Sequence, residues 1–528
     1  MKTGRGYAPA DSIYPLQGLN TLDPSTQSNP AFSPACENVI IDKGILGKRK
    51  GYLTLGSTAD PTVALIEFED FDGEKHLLRI TTTKQYRYDA VAESWVNITY
   101  QVAAADVDWT GSEEDVVDWA IVLGDPGTAV VEKWVIITNG KDTPRYWDGN
   151  SATFELWQPD YPGFITCRTL ALFYDHIVMG NIVTTSQETT IVAWSAPGML
   201  NDFTSEGTGA ALVAGSRGDI VKLMPMGDRL FIYSENSIAK ITYVAGFILF
   251  SFEQVLEETR LVSARGIVNI GPYHFYMSQE NIVMFDGTRL IRQIGDRIHR
   301  KYREELYMEE QYKAWAFHDA AKRHVYFNVP ISSSQSKVYQ LDYDTFDMQQ
   351  AKWVAQSFAD RPLSMGLFSR EATLRWNSAS IADFEWQTPN FAWGQGSIRK
   401  GFPTRVMGTA DRVFLADDTA QSDAGSNINS YWDSIDFTIP QAFQSQLARW
   451  IELELEMQGI EIDIYFSTNE GSSFEYVETL YLEPRWKKHN VFIDQMSETF
   501  RIRLVNNCLN SGWEIRWARL WFQPGGPT

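Results

Sequence analysis

A repeat with a period of 44 residues limits what this chain can fold into. GDRLFIYSENSI, beginning at Gly227, returns as GPYHFYMSQENI, beginning at Gly271. Gly227 aligns with Gly271, Phe231 with Phe275, Ser234 with Ser278 and Ile238 with Ile282, with no gap. Each copy reads as strand, polar turn, strand. Ser234, Glu235, Asn236 and Ser237 align with Ser278, Gln279, Glu280 and Asn281, and both sets sit between apolar, aromatic-rich runs. A period of about 40 to 45 residues built from strands is the signal of a propeller, one four-stranded blade per repeat.

Further copies of the pattern run from Val63 to Trp353. Strands ending in an aromatic residue and an acid occur at Tyr86-Arg87-Tyr88-Asp89, Tyr146-Trp147-Asp148-Gly149, Met284-Phe285-Asp286-Gly287 and Tyr339-Gln340-Leu341-Asp342. Most lead to a second strand carrying a Trp, as at Trp95, Trp157 and Trp353. The acid is expected to cap the turn through its own backbone. Trp134 to Thr138, Ile177 to Met179 and Leu230 to Tyr233 are apolar on both faces, as strands covered on both sides are. Blades are expected near 63–100, 117–157, 169–206, 219–256, 263–293 and 315–353, with a weaker one near 403–440.

At 528 residues the chain exceeds one ordinary core, and radial repetition followed by a further domain accounts for the length. Residues 1 to about 60 carry Pro9, Pro15, Pro24, Pro30 and Pro34 without a sustained period, which predicts an extended arm. One helix is expected: Asp296 stands as N-cap before RIHRKYREELYMEEQYKAW, where Ile298, Tyr302 and Leu306 recur at four-residue spacing. Beyond the linker-like SDAGSNINS, Ile451, Leu453 and Leu455 alternate with Glu452, Glu454 and Glu456, so these strands have one wet face. The expected fold is all-β: an extended N-terminal arm over 1–60, a β-propeller of six or seven blades over 61–429 with an inserted helix at 296–314 and a polar insertion at 370–430, and a C-terminal antiparallel β-sandwich over 430–528.

The chemistry of the chain is sparse. It has no HExxH, GxSxG, Walker GxxxxGK[ST] or strand-borne GxGxxG, so no catalytic or cofactor-binding residue is nominated. His318 and His324 flank a polar turn and read as a hairpin rather than a metal site. The acidic stretches Asp106 to Asp118 and Glu67 to Asp72 lack the ligand alternation and Gly of an EF-hand loop, so they read as solvated loops and no metal site is nominated. Arg217-Gly218-Asp219 reads as a turn. Ser467 to Phe474 resembles the Asp-box hairpin turn, with Asn469 for its Asp and Phe474 for its Trp, and that turn is structural.

Lys48, Arg49 and Lys50 form a short basic run, read as a solvated strand end with nucleic acid or an acidic partner as the alternative. The net charge of −21 argues against a general phosphate-binding surface. Cys36, Cys167 and Cys508 have neither disulfide-framework nor metal-site spacing. MKTGRGYAPADS has no apolar core and is not read as a secretory signal, and the apolar run Tyr243 to Phe252 is too short to span a bilayer.

Five segments in order carry a resemblance: GLN with ENVIIDKGILGKRKGY, WVIITNGKDTPRYWDG, HIVMGN with IVAWSAPGMLNDF, GDIVKLMPMGDRLFIYSENSIAKI, and FYMSQENIVMFDGTRLIRQIGDRI. Together they resemble the nozzle, or tail-hub, propeller proteins of short-tailed bacteriophages over about residues 15 to 300. The resemblance implies a structural virion protein without catalytic residues. It would be assembled in the host cytoplasm as a homohexameric ring below the portal and its adaptor, beside tail-fibre or tailspike proteins, with double-stranded DNA passing through its lumen. The charged helix at 296–314 and the polar insertion at 370–430 are the candidates for contact between subunits. Three other roles stay open: a tail adaptor or fibre-anchoring protein, a glycan-binding or glycan-cleaving propeller at the host surface, and a monomeric scaffold.

Overall fold

The computed structural model describes residues 8, 9, 13–15, 17–57, 60–244, 249–288, 291–343, 351–369, 403–438 and 447–524. The chain is all-β, with one short α-helix and one 3-10 turn among the described residues. Five successive four-stranded antiparallel sheets come first, each a simple meander: 62–97, 118–156, 166–212, 220–257 and 267–293. A sixth meander spans 315–356. The turns between strands use local chemistry. Asp89 accepts from the N–H groups of Val91 and Ala92, Asp148 from those of Asn150 and Ser151, and Asp286 from that of Thr288. Residues 344–350, which follow Asp342, lie outside the described residues.

The two copies of the repeat are the second and third strands of the fourth and fifth sheets. Gly227 and Gly271 sit at φ of 60° and 68° in the turns that open them, a region only glycine enters freely. Phe231, Phe275, Ile238 and Ile282 are wholly buried.

A seventh sheet, of six strands ending in the short pair Ser422–Asp423 and Ser426–Asn427, is assembled from both ends of the chain. Ser364–Phe368, Thr404–Gly408 and Arg412–Ala416 supply three strands, and the fourth is Tyr52–Ser57, paired antiparallel with Arg412–Ala416. Neighbouring sheets share apolar cores: Ile66 with Val135, Trp134 with Leu170, Val178 with Leu223, and Tyr233 with Tyr276. The seventh sheet packs on the sixth through Met407 and Tyr326, and on the first through Val406 and Leu65. The row of sheets therefore returns on itself.

Two larger sheets face each other over one core. In the first, Lys487–Ser497, Ala448–Gly459, Trp513–Pro524, Ile45–Lys48 and Val39–Asp42 lie side by side. The second runs from Glu475–Tyr481 through Glu461–Ser467, Thr499–Asn506, Ser430–Asp433 and Cys36–Glu37 into Lys352–Gln356, the last strand of the sixth meander. Leu453, Leu455 and Leu520 from one sheet meet Ile464, Ile502 and Leu504 from the other. The alternation of Leu with Glu along Ala448–Gly459 places the leucines in this core and leaves the glutamates half-exposed.

Several expectations need revision. The stretch 1–60 is extended, but it is not a separate arm: Leu19, Val39, Ile41 and Leu46 are core residues, and its strands join three different sheets. Its partners are distant in sequence, which is why no local period announces them. The helix expected over 296–314 is His299–Glu305, followed by a 3-10 turn Met308–Lys313. Ile298, Tyr302 and Leu306 are buried as their spacing predicts, but Tyr307 turns extended and donates its N–H to Pro330 O, which ends the helix. Asp296 is not its cap. Ile298 takes that position, and Asp296 accepts instead from Asn281 Nδ2 at 2.8 Å.

The polar insertion expected at 370–430 divides in two: 370–402 lie outside the described residues, whereas 404–416 are strands of the seventh sheet. The unit expected at 403–440 accordingly begins earlier, at Ser364–Phe368, takes in Tyr52–Ser57 and continues through Ser422–Asp423 and Ser426–Asn427, within the stretch expected to be a linker, while Ser430–Asp433 belongs to another sheet.

Candidate functional site

The first strands of all seven small sheets line one cavity of about 440 Å³, to which they contribute Leu65, Asp118, Arg168, Lys222, Ile267, Phe317 and Gly366. A cavity of this size falls in the range of small-molecule sites. It exists because each meander enters the molecule on the same side and presents its opening strand to the centre.

Charged side chains interrupt the apolar runs of these strands. Asp118 begins its strand buried, accepts from Thr169 Oγ1 at 2.7 Å and from the Trp119 N–H at 2.8 Å, and is ion-paired to Lys222. Thr169 Oγ1 in turn accepts from the Leu223 N–H at 2.9 Å, so three sheets are tied at one level. Arg265 Nη1 donates to Val63 O at 2.8 Å and to Leu363 O at 3.1 Å, linking the fifth sheet to the first and seventh. Burial lowers its guanidinium pKa to about 10. On the opposite side along the strands, Asn269 Nδ2 donates to Pro225 O at 2.5 Å, and Glu67 accepts from Ser369 Oγ at 2.9 Å.

The residues singled out from sequence lie elsewhere or in structural roles. Lys48 and Arg49 are buried, not at a solvated strand end. Lys48 Nζ donates to Asn506 Oδ1 at 2.8 Å, and Arg49 makes two hydrogen bonds to Asp423. The nucleic-acid alternative is overturned for both, because neither cation faces solvent. His318 does line the cavity, with Nε2 2.6 Å from Tyr343 Oη, and burial lowers its pKa. His324 pairs across the hairpin with Asp319, and burial holds it down to about 3.

Among the described residues no group of three or more His, Cys, Asp or Glu is placed to hold a metal. The two acidic stretches are engaged internally: Asp106 accepts from Asn97 and Gln101, Asp115 from the Ser112 N–H, and Asp70 from the Glu74 N–H. Gly218 of Arg217-Gly218-Asp219 is a turn residue at φ 93°. In the Asp-box-like turn Asn469 Oδ1 accepts from the Ser473 N–H at 3.0 Å, and the Phe474 ring lies 3.6 Å from the Arg503 guanidinium carbon.

Sequence reasoning did not find Lys222, Arg168, Arg265 or Asn269, and it read Asp118 as the end of a solvated acidic loop, whereas Asp118 is a buried strand residue in the cavity wall. A faint signal was available in a charge set inside an apolar run, as Lys222 in DIVKLM and Asp118 in DVVDWAIV.

No family model matches the chain, and no curated protein matches it. Among solved structures it is similar to the extracellular domain of a protein described as a hybrid two-component system of B. thetaiotaomicron, at 11% identity and a TM-score of 0.39, over 70% of this chain and 39% of that one. A second structure, the extracellular domain of a protein of the same organism described as a one-component system, matches at 7% identity and a TM-score of 0.41, over 88% of this chain and 62% of the other. The chain thus spans less than two thirds of either neighbour, and both likenesses are too distant to carry an argument about its role. Among the described residues no helix is long and apolar enough to cross a membrane.

Proposed function

We propose that the chain is a seven-bladed β-propeller fused to a β-sandwich, and that it is a structural subunit of a short-tailed bacteriophage tail, in the nozzle or hub ring that continues the portal-adaptor channel. The observation that carries this reading is the hydrogen-bonded continuity of the sheet from Trp315–Asp319 to Glu475–Tyr481, in which Cys36–Glu37 bridges the sixth meander to the C-terminal strands. Such a bridge transmits force between two units instead of letting them hinge, which suits a part that must hold its place under genome pressure.

The first of the five family-like segments supplies Glu37 of this bridge and ends at Tyr52, the first residue of the N-terminal strand that joins the seventh sheet. The negative net charge supports a conduit through which DNA slides, because each Lys or Arg bound to a phosphate would have to be released again. In this role subunits meet through heterologous contacts that close into a ring of six.

Light scattering on the purified chain, followed by negative-stain imaging, tests the assignment. A ring of about six subunits with a central hole supports it. A chain that remains monomeric even when mixed with its portal and adaptor partners would remove it.

A second reading, attachment to host-surface glycans, has one observation in its favour. Tyr476 and Tyr481 are 56% and 78% exposed on the sheet face that also carries Tyr465 and Asp463. Flat aromatic rings beside hydrogen-bonding groups suit sugar faces, and a glycan array separates this role from a purely architectural one.

A further inference from the structure

The central cavity has two chemically different ends. Its Arg265 end lies where the strands Thr62–Glu69 and Ser364–Phe368 begin, since Arg265 reaches Val63 O and Leu363 O there. Arg168 lies near the start of Thr166–Phe173 and makes no ion pair among the described residues. At the other end Glu67 bonds to Ser369, just past the close of Ser364–Phe368, and Asn269 reaches Pro225 O. Arg265 sits in the turn closed by the Gly266 N–H on Ser263 O, and the strand Ile267–Asn269 leads from it to Asn269.

Two polar atoms of the lining are unsatisfied. Arg265 Nε, a donor, and Asn269 Oδ1, an acceptor, are buried without a hydrogen-bond partner. A buried donor or acceptor left unpaired costs free energy that a partner would recover. The orphan donor stands at the cationic end and the orphan acceptor at the end that also holds the Glu67 carboxylate. The wall also carries the apolar Met224, Ile267 and Trp315, while Asp118 is ion-paired to Lys222 near the strand starts and Glu67 lies 3.8 Å from Lys75 Nζ at the far end.

We propose that the cavity binds a small elongated molecule with an anionic group, carboxylate or phosphate, at the Arg168 and Arg265 end and an N–H or O–H donor at the Asn269 end, an ω-amino acid being its simplest form. Guanidinium groups match the planar oxygens of carboxylates and phosphates, which sets the orientation. Asn269 Oδ1 and Glu67 then receive the donor of the far end, and the alkyl spacer lies against Met224 and Ile267. This site is independent of any role in a phage tail.

Isothermal titration of the full chain tests it, using ω-amino acids of increasing length and the corresponding ω-aminoalkyl phosphates. Alkanoates and alkylamines of equal length serve as probes that lack one end group. At least one amphoteric probe is expected to bind saturably, with the matched alkanoate and alkylamine at least about tenfold weaker. Preference between the carboxylate and phosphate series identifies the anionic head. Arg168→Ala, at an exposed position outside the core, is expected to keep the melting temperature and to weaken binding by about tenfold or more. Asn269→Leu is expected to erase the advantage over the alkanoate. Absence of saturable binding across both series, equal binding of the single-ended probes, or unchanged affinity in Arg168→Ala would each overturn the proposal.

Discussion

Tyr233 Oη lies 2.7 Å from His274 Nδ1, and this contact joins the two copies of the internal repeat. His274 Nε2 is 3.1 Å from Pro225 O, so the neutral ring accepts from the tyrosine and donates to the carbonyl. Burial holds the His274 pKa down to about 4 from 6.5. As pH falls through 6.5 the unfolded chain takes up a proton that the folded chain refuses until about 4, so stability falls across that window. The slope is expected to be about 1.4 kcal/mol per pH unit for one such histidine. Urea unfolding at stepped pH should show a shallower decline for His274→Gln than for the natural chain, and equal slopes would refute the assignment.

Arg49 and Asp423 form a two-point ion pair, with Nη1 to Oδ1 at 2.9 Å and Nη2 to Oδ2 at 2.5 Å, and their side chains are only 4% and 9% exposed. The guanidinium also lies 4.5 Å from the centre of the Phe358 ring. Removing either partner leaves a buried charge without compensation. Arg49→Met and Asp423→Ala are each expected to destabilise by about 3 to 5 kcal/mol, and the double substitution by less than the sum of the two. Denaturant midpoints of the three variants give the coupling directly.

Gly18 has φ 73° and pairs in parallel with Trp353, where a Cβ would lie 2.3 Å from Trp353 O. Backbone cannot give way as a flexible side chain can. Gly18→Ala is therefore expected to cost about 2 to 5 kcal/mol, from the left-handed backbone and the overpacking together. A midpoint shift below about 0.5 kcal/mol would show that this strand is not held in place as described.

These residues also mark where sequence reading succeeded and where it stopped. The strand groups at 63–100, 117–157 and 219–256 were legible because aromatic-acid turns and apolar runs are local signals, and the sheets begin and end within a few residues of them. The stripe Ile298, Tyr302 and Leu306 was legible for the same reason. The helix end was not, since Tyr307 finds Pro330 across the fold.

Gly18 belongs to a strand that pairs with Trp353 and Lys48 to one that pairs with Glu514 and Ile515, hundreds of positions away, so proline content suggested a loose arm where there is a clasp. Lys48 and Arg49 looked like a wet basic run because the groups that bond them, Asn506 and Asp423, are equally remote. The cavity was hidden likewise: Asp118 and Lys222 are 104 residues apart and meet only when the second and fourth sheets turn to the same centre.

Closure of the row of sheets rests on Tyr52–Ser57, the one strand of the seventh sheet that comes from the N-terminal part of the chain. Leu55 of this strand is 4% exposed, in a core it shares with Leu65 and Leu77 of the first sheet and Val406 and Val413 of the seventh. Trp95 Nε1 donates to Leu55 O at 2.7 Å, so the first sheet also holds the strand from outside. Leu55→Glu places a carboxylate without a counter-ion at this seam and is expected to cost about 3 to 5 kcal/mol. The loss should be local before it is global, because the seam is held by packing and by strand pairing that other sheets do not share. Hydrogen exchange is expected to accelerate first in Arg412–Ala416, whose outer partner is lost, while Arg229–Ser234 of the fourth sheet keeps its protection. Uniform acceleration across all sheets would mean instead that the seven sheets unfold as one unit and that the seam is no weaker than the rest.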